Sequence, residues 1–245
     1  MAQDTGALRV QGLTKSFGGL KVFQDISFEL APSSVKGVIG PNGAGKTTLI
    51  NVICGLLPQS AGKVWLGGSD ITNRPFHVIS GLGIVRSFQQ TNTFKSATVE
   101  ENLHRARHFS RNRPGAALDL DPLIEEFGLA AHLEDESGSM PYGKQKMLGL
   151  VMALAPKPRF LLLDEPAAGL EQKERHQIDR FIAFAHETLD CGVLIVEHDM
   201  DLVRRLCPEI IVLEGGRILA EGAPDTVLTR KDVMDAYLGA EEEEA

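Results

Sequence analysis

The sequence predicts an α/β fold: a mixed core sheet, an antiparallel β front sheet beside it, and an inserted α-helical subdomain. Three observations predict it. The apolar run Val35 to Ile39 leads through Gly40-Pro-Asn-Gly-Ala-Gly-Lys-Thr47 into the helix-like stretch Thr48 to Leu57. Short, fully apolar runs return late in the chain, as expected for strands buried on both faces of a parallel sheet. Between the two lies a helical, more polar middle section.

From the N-terminus, Leu8 to Leu13, Lys21 to Phe23 and Ile26 to Leu30 alternate as half-buried strands do, with Gly18-Gly19 as a turn. They give the antiparallel front sheet. Lys63 to Leu66 with the Gly67-Gly68 loop reads as a further hairpin, and Gly83 to Phe88 as a strand entering the core. The helical section includes Val99 to Phe109, a Pro114-Gly115 break, and Pro122 to Phe127 stopped by Gly128. Its basic stretch, Arg105, Arg107, His108, Arg111 and Arg113, reads as a solvated face. After residue 155 come the strand Phe160 to Asp164 and a helix carrying Ile178, Phe181, Ile182 and Ala185 on one face. The strands Val193 to Val196, Ile210 to Leu213 and Arg217 to Ala220 follow, then an amphipathic segment from Val227 to Leu238 closed by Gly239. The organisation expected is one domain over 6–240. Its core comprises 6–91 and 156–224, its helical subdomain about 92–155 and its tail 225–240, with a disordered acidic end at 241–245.

Composition excludes several classes of function. At 245 residues and 43% hydrophobic content, the chain can bury a substantial core. Its formal charge of −8 argues against nucleic acid as a partner. Cys54, Cys191 and Cys207 have neither metal-ligand spacing nor an even count, and read as reduced thiols. No apolar run reaches the ~18 residues that a membrane-spanning helix needs.

The segment from Gly40 to Thr47 makes a nucleoside triphosphate the expected ligand. Glycines at 40, 43 and 45 adopt backbone angles closed to other residues, so that successive N–H groups around Pro41, Asn42 and Ala44 converge on one anion. The following helix directs its positive end at the phosphates. Lys46 is placed to reach the β- and γ-phosphates, Thr47 to ligate Mg²⁺ through its hydroxyl, and Thr48 to add a phosphate contact. Asp164, at a strand end, suits Mg²⁺ because a hard cation takes oxygen ligands. Glu165 then stands where a carboxylate could orient the attacking water or take its proton. His198 follows the strand Val193 to Val196 at the same sheet edge, where an imidazole could donate to a γ-phosphate oxygen.

With these motifs the chain resembles the ATP-binding subunits of ABC transporters, which are phosphate-loop NTPases, over nearly its full length from Leu8 to Gly239. The resemblance implies that Phe17 stacks on adenine and that Gln89 senses Mg²⁺ and meets a transmembrane partner. It also implies that Ala168 to Glu171 form a loop communicating across a dimer. Met140-Pro-Tyr-Gly-Lys-Gln145 stands where the family carries Leu-Ser-Gly-Gly-Gln, so Tyr142, Gly143 and Lys144 would approach ATP held by another subunit. Pro141 departs from that pattern, having neither hydroxyl nor N–H, with Lys144 offering a compensating charge. Phe-Gly-Gly-Leu, Ser-Phe-Gln-Gln, Tyr-Gly-x-Gln, Pro-Ala-Ala-Gly-Leu, Glu-His-Asp-Met and Asp-Ala-Tyr-Leu-Gly resemble the subgroup serving branched-chain amino-acid uptake. ATP and Mg²⁺ are the implied cofactors. The implied partners are transmembrane permease subunits, a second ATPase subunit of the same or a different chain, and indirectly a periplasmic solute-binding protein. The implied location is peripheral, on the cytoplasmic face of the inner membrane. An ATPase of an exporter or lipid-extraction complex, and a soluble ABC ATPase outside transport, remain as alternatives.

Overall fold

The computed structural model describes residues 6–87, 93–110 and 118–243, except for the side chains of 109, 110 and 238–243. The chain opens with strands β1 (Leu8–Phe17) and β2 (Leu20–Leu30), joined at Gly18-Gly19, then strand β3 (Val35–Ile39) and helix α1 (Lys46–Ile53). Helix α1 starts and stops earlier than the stretch expected, Thr48 to Leu57. Gly55, at a φ of +70°, takes the left-handed turn there, and a Cβ on it would lie 2.2 Å from the Arg74 carbonyl oxygen. Strands β4 (Ala61–Leu66) and β5 (Ser69–Asp70), helix α2 (Phe76–Gly81) and strand β6 (Ile84–Arg86) complete the first part.

The middle section supplies helices α3 (Val99–Ser110), α4 (Asp121–Glu126) and α5 (Tyr142–Leu154). Helix α3 begins at a capping box: the Glu101 N–H donates to Thr98 Oγ1 and the Thr98 N–H to Glu101 Oε2, both at 3.1 Å. Gly128, at a φ of +61°, follows α4 where a stop was expected. Of the basic stretch, Arg107 pairs with Asp121 and Arg105 covers the ring of Phe94, while Arg111 and Arg113 lie outside the described residues, as does the Pro114-Gly115 break.

The last part runs through strand β7 (Phe160–Asp164), helix α6 (Gln172–Ala183), strand β8 (Gly192–Val196), helix α7 (Met200–Leu206), strands β9 (Glu209–Glu214) and β10 (Arg217–Gly222), and helices α8 (Pro224–Val227) and α9 (Lys231–Glu243). Asp199 caps α7, its Oδ1 accepting from the N–H groups of Asp201 and Leu202. Helix α9 runs through Gly239 to Glu243, where a stop and a disordered acidic end were expected. A single glycine costs a helix about 1 kcal/mol relative to alanine, which is too little to end it without a left-handed turn.

Two sheets result. The front sheet has the order β2-β1-β4-β5, with each neighbouring pair antiparallel. The core sheet has the order β10-β9-β3-β8-β7-β6, parallel throughout except for β10, which returns antiparallel on β9. Its strands β3, β7 and β8 are buried on both faces, and alternation divides the side chains of the sheet between two cores. Phe160, Leu162, Leu194, Val196, Ile211 and Leu213 pack towards α1 and the front sheet. Leu161, Leu163, Val193, Ile195, Ile210 and Val212 share a second cluster with α3, α4, α5 and α6, including Val99, Phe127, Leu148 and Phe181. The helical section therefore leaves the sheet after β6, rejoins it at β7, and shares an unbroken core with its back face.

All three cysteines lie inside this framework as free thiols, with burial pushing each up to about 12. Among the described residues no helix is long and apolar enough to cross a membrane.

Candidate functional site

Three strand ends meet at one level of the core sheet. Val196 pairs with Val38 on one side and with Asp164 on the other, so the segments leaving β3, β7 and β8 start side by side. In open α/β sheets this carboxyl edge is where ligands are held. The loop from Gly40 leaves β3 there, the turn at Glu165 leaves β7, and Glu197-His198 leaves β8.

The phosphate loop takes its shape from its glycines. Gly40 has a φ of +148°, and a Cβ on it would lie 2.0 Å from the carbonyl oxygen of Leu213, so the residue is fixed from behind by β9. Gly45 has a φ of +94° and packs on Val22. Gly43 has a φ of +78° with no neighbour within 4 Å of its Cβ position, which leaves the loop's outer side open. Lys46 curls back over the loop, Nζ donating to the carbonyl oxygens of Gly40 at 2.7 Å and Pro41 at 2.9 Å. Burial lowers its ammonium below the usual lysine range, against the raising pull of Glu165 and Asp164. Thr47 and Thr48 follow in the first turn of α1.

Asp164 is 1% exposed and uses both carboxylate oxygens. Oδ1 accepts from the Thr47 hydroxyl at 3.1 Å, and Oδ2 accepts from Arg86 Nη2 at 2.8 Å. Arg86, on β6, also bonds to Asn51 of α1 through Nη1. Burial raises the carboxyl above its usual range, opposed by Arg86 and the Thr47 hydroxyl. Sequence reasoning missed Arg86 and Asn51. The signal was present in Arg86, a charged residue inside an apolar strand, since buried charges are retained when they are paired.

Glu165 adopts a φ of +49°, a left-handed conformation uncommon for a residue with a side chain. Its N–H donates to the Val196 carbonyl at 2.9 Å, and its own carbonyl accepts from Lys146 Nζ at 2.9 Å. His198 Nδ1 stands 4.0 Å from Glu165 Oε1 and 3.9 Å from Glu197 Oε2, with the imidazole side chain 64% exposed. Beneath them Glu197 is fully buried. Its Oε1 accepts from the Ala167 N–H at 2.9 Å, and its Oε2 from the N–H groups of His198 at 3.1 Å and Asp199 at 3.4 Å. Neither Lys146 nor Glu197 was singled out from sequence.

Phe17 is 48% exposed at the end of β1, with the ammonium of Lys15 4.4 Å from its ring centroid. Gln89 lies outside the described residues. Helix α5 starts directly after Pro141, which offers no side-chain cap, so its first turn begins with Tyr142, Gly143 and Lys144. Tyr142 is half exposed. A Cβ on Gly143 would meet the end of the Glu174 side chain, with Oε1 at 2.2 Å. Lys144 does not face outward as a compensating charge: its Nζ donates to the Phe127 carbonyl at 2.6 Å, beyond the end of α4. The structure thus gathers Gly40 to Thr48, Asp164, Glu165 and His198 at one sheet edge. Phe17 and the start of α5 stand apart on their own elements.

A family model described as ABC transporter matches residues 23–168. Over 248 residues, 95% of this chain and 97% of the relative, the sequence is 36% identical to the high-affinity branched-chain amino acid transport ATP-binding protein BraF of Pseudomonas aeruginosa. The same identity and coverage hold for LivG of Escherichia coli K12, similarly described. A probable LivG of Archaeoglobus fulgidus is 36% identical over 251 residues, 97% of each chain. Among solved structures, an ATP-binding cassette of an ABC transporter in its ADP conformation superposes with a TM-score of 0.82 at 30% identity, over 95% of this chain and 98% of that one. A nucleotide-free cassette gives 0.79 at 29% identity, over 94% and 98%.

Proposed function

Because the chain belongs to the ABC transporter family as an ATP-binding and ATP-hydrolysing subunit, we propose that it powers uptake of branched-chain amino acids, with hydrolysis at the sheet edge described above. One observation carries the site assignment: Lys46, Thr47, Asp164 and Glu165 converge around a loop whose three glycines all have positive φ, with Gly43 open on its outer side. The cargo reading is supported by the relatives named for that transport and by the motif likeness along the whole chain.

In this reading the loop N–H groups bind the phosphates, and Lys46 exchanges its contacts with Gly40 and Pro41 for phosphate oxygens. Thr47 Oγ1 and Asp164 Oδ1, 3.1 Å apart, form an oxygen pair of the kind Mg²⁺ takes. Gln89, which the family resemblance makes a Mg²⁺ sensor, would add a further oxygen, and phosphate and water oxygens would complete the set. Bound there, Mg²⁺ would neutralise phosphate charge. Glu165 accepts the proton of the attacking water, and His198, on the neighbouring turn, orients the γ-phosphate. Phe17 supports adenine, and Gln89 joins the site and the permease.

ABC importer ATPases work with transmembrane permease components. Here we place the subunit peripherally on the cytoplasmic face of the membrane, with a periplasmic solute-binding protein delivering cargo. The first turn of α5 closes over ATP held by a second ATPase subunit through Tyr142 and Gly143, with Lys144 directed to the Phe127 carbonyl. Since Pro141 supplies neither hydroxyl nor N–H, that second subunit differs from this chain, and the two ATP sites are unequal. The helical section, about 92–155, moves as the unit that closes. Calorimetry of ATP with and without Mg²⁺ tests the site: magnesium-dependent binding is expected, and its absence from folded protein would overturn the assignment. Turnover by this chain alone equal to that of the full transporter would overturn the unlike pairing.

A further inference from the structure

We infer that Lys146 is a positioning residue for hydrolysis, holding from helix α5 the backbone turn that carries Glu165. The inference rests on the reading of Glu165 as the group that takes the proton from water.

Lys146 is 5% exposed on the inner side of α5, one turn beyond Tyr142. Its ammonium donates to two carbonyls of one turn, Glu165 at 2.9 Å and Ala168 at 2.7 Å. Between these two residues, Ala167 donates its N–H to the buried carboxylate of Glu197. A buried cation therefore takes the turn's carbonyls while a buried anion takes its N–H. Neither is within ion-pair distance of the other, so both charges are directed at backbone. Burial holds the Lys146 ammonium down at about 8, with Glu197 and Glu165 opposing the shift.

The residue most affected is Glu165. At a φ of +49° its backbone adopts a conformation that side-chain-bearing residues rarely keep unless their surroundings impose it. The bond from its N–H to Val196 fixes one side of it and Lys146 fixes the other. Without the ammonium, the Glu165 carbonyl keeps the Ala168 N–H at 3.1 Å but loses its charged donor, so the turn that sets the carboxylate is held less firmly. Because Lys146 belongs to the helix whose first turn serves the other subunit's nucleotide, the same contact transmits displacement of α5 to the base of this chain's own site. The ring of Tyr142 faces the same turn, since a Cβ added to Gly169 would lie 2.8 Å from it.

The test uses the chain assembled with transmembrane permease subunits in a transporter complex. Misplacing a catalytic group by about 1 Å costs on the order of 100-fold in rate, so Lys146→Met is expected to lower kcat by roughly 10- to 100-fold. The ATP Kd should stay within about threefold, because no phosphate-loop contact is lost. Lys146→Arg, which can reach both carbonyls, should recover most of the rate. Wild-type kcat in the Met variant overturns the inference, and so does a joint loss of affinity and rate that Arg fails to restore. Should the Met variant not fold, Lys146→Gln is judged by the same two results. A wild-type chain that binds no ATP, or full turnover in Glu165→Gln, would instead overturn the underlying functional reading.

Discussion

The phosphate-loop side and the α5 side of the molecule are built by different means. The loop is a local object: eight consecutive residues running from the end of β3 into the first turn of α1, with Gly40 and Gly45 packed from behind and Gly43 open in front. The start of α5 is held by residues distant in sequence. Lys144 reaches Phe127, Glu174 lies against Gly143, and Lys146 holds the turn after β7. A ligand site can thus be written into one segment, whereas a helix start held by distant residues depends on every element that it touches. The first should fail sharply on single substitutions, and the second should fail through its supports.

The sharpest break is expected at the chemistry. Glu165→Gln should keep ATP binding and lose on the order of 100-fold or more in turnover, while Lys46→Ala should lose binding and turnover together. Calorimetry beside steady-state hydrolysis separates the two, and unchanged turnover in the Glu165 variant would remove it from the role of base.

That contrast also explains what could be read from sequence. The strand-to-loop-to-helix transition at 35–57 and the apolar strands ending at Asp164 and Val196 carry their structure in adjacent residues, so periodicity and glycine spacing reveal them. Arg86, Lys146 and Glu197 act through partners 78, 19 and 30 residues away, so even where a charge inside an apolar strand marks Arg86 as paired, no local pattern names the partner. Helix α7 was missed although Asp199 supplies a cap in plain view, because its seven residues are too few to show a period. At Gly239 local reasoning gave a wrong stop, since a glycine ends a helix only when the backbone turns left-handed there.

Next in size is a backbone effect on the loop side. Gly40→Ala would drive a methyl into the Leu213 carbonyl oxygen at 2.0 Å, and should destabilise the fold by about 3 kcal/mol or more in urea denaturation. On the other side, the matching support is Asn102 of α3, which is fully buried. Its Nδ2 donates to the Thr98 carbonyl at 2.9 Å, and its Oδ1 accepts from the Phe94 N–H at 2.8 Å. Asn102→Ala should cost about 1–3 kcal/mol, chiefly by removing the acceptor of the Phe94 N–H, since the Thr98 carbonyl keeps its helix bond from the residue 102 N–H at 3.0 Å. A cost well below 1 kcal/mol would mean that the helical section relies on its apolar core alone. The smallest effect belongs to the surface. Arg205 donates from Nη2 to both carboxylate oxygens of Asp179 at 3.1 Å, and Arg205→Ala should change stability by less than about 1 kcal/mol.

The seclusion of Cys54, Cys191 and Cys207 has a practical consequence. Maleimides and similar reagents attack thiolates, and thiols pushed up to about 12 within the core present almost none at neutral pH. A cysteine introduced at Gly19, where a side chain meets nothing within 4 Å, would therefore take up a fluorophore or spin label while the native cysteines stay in place. Distances between such probes on two subunits could then follow opening and closing through a catalytic cycle.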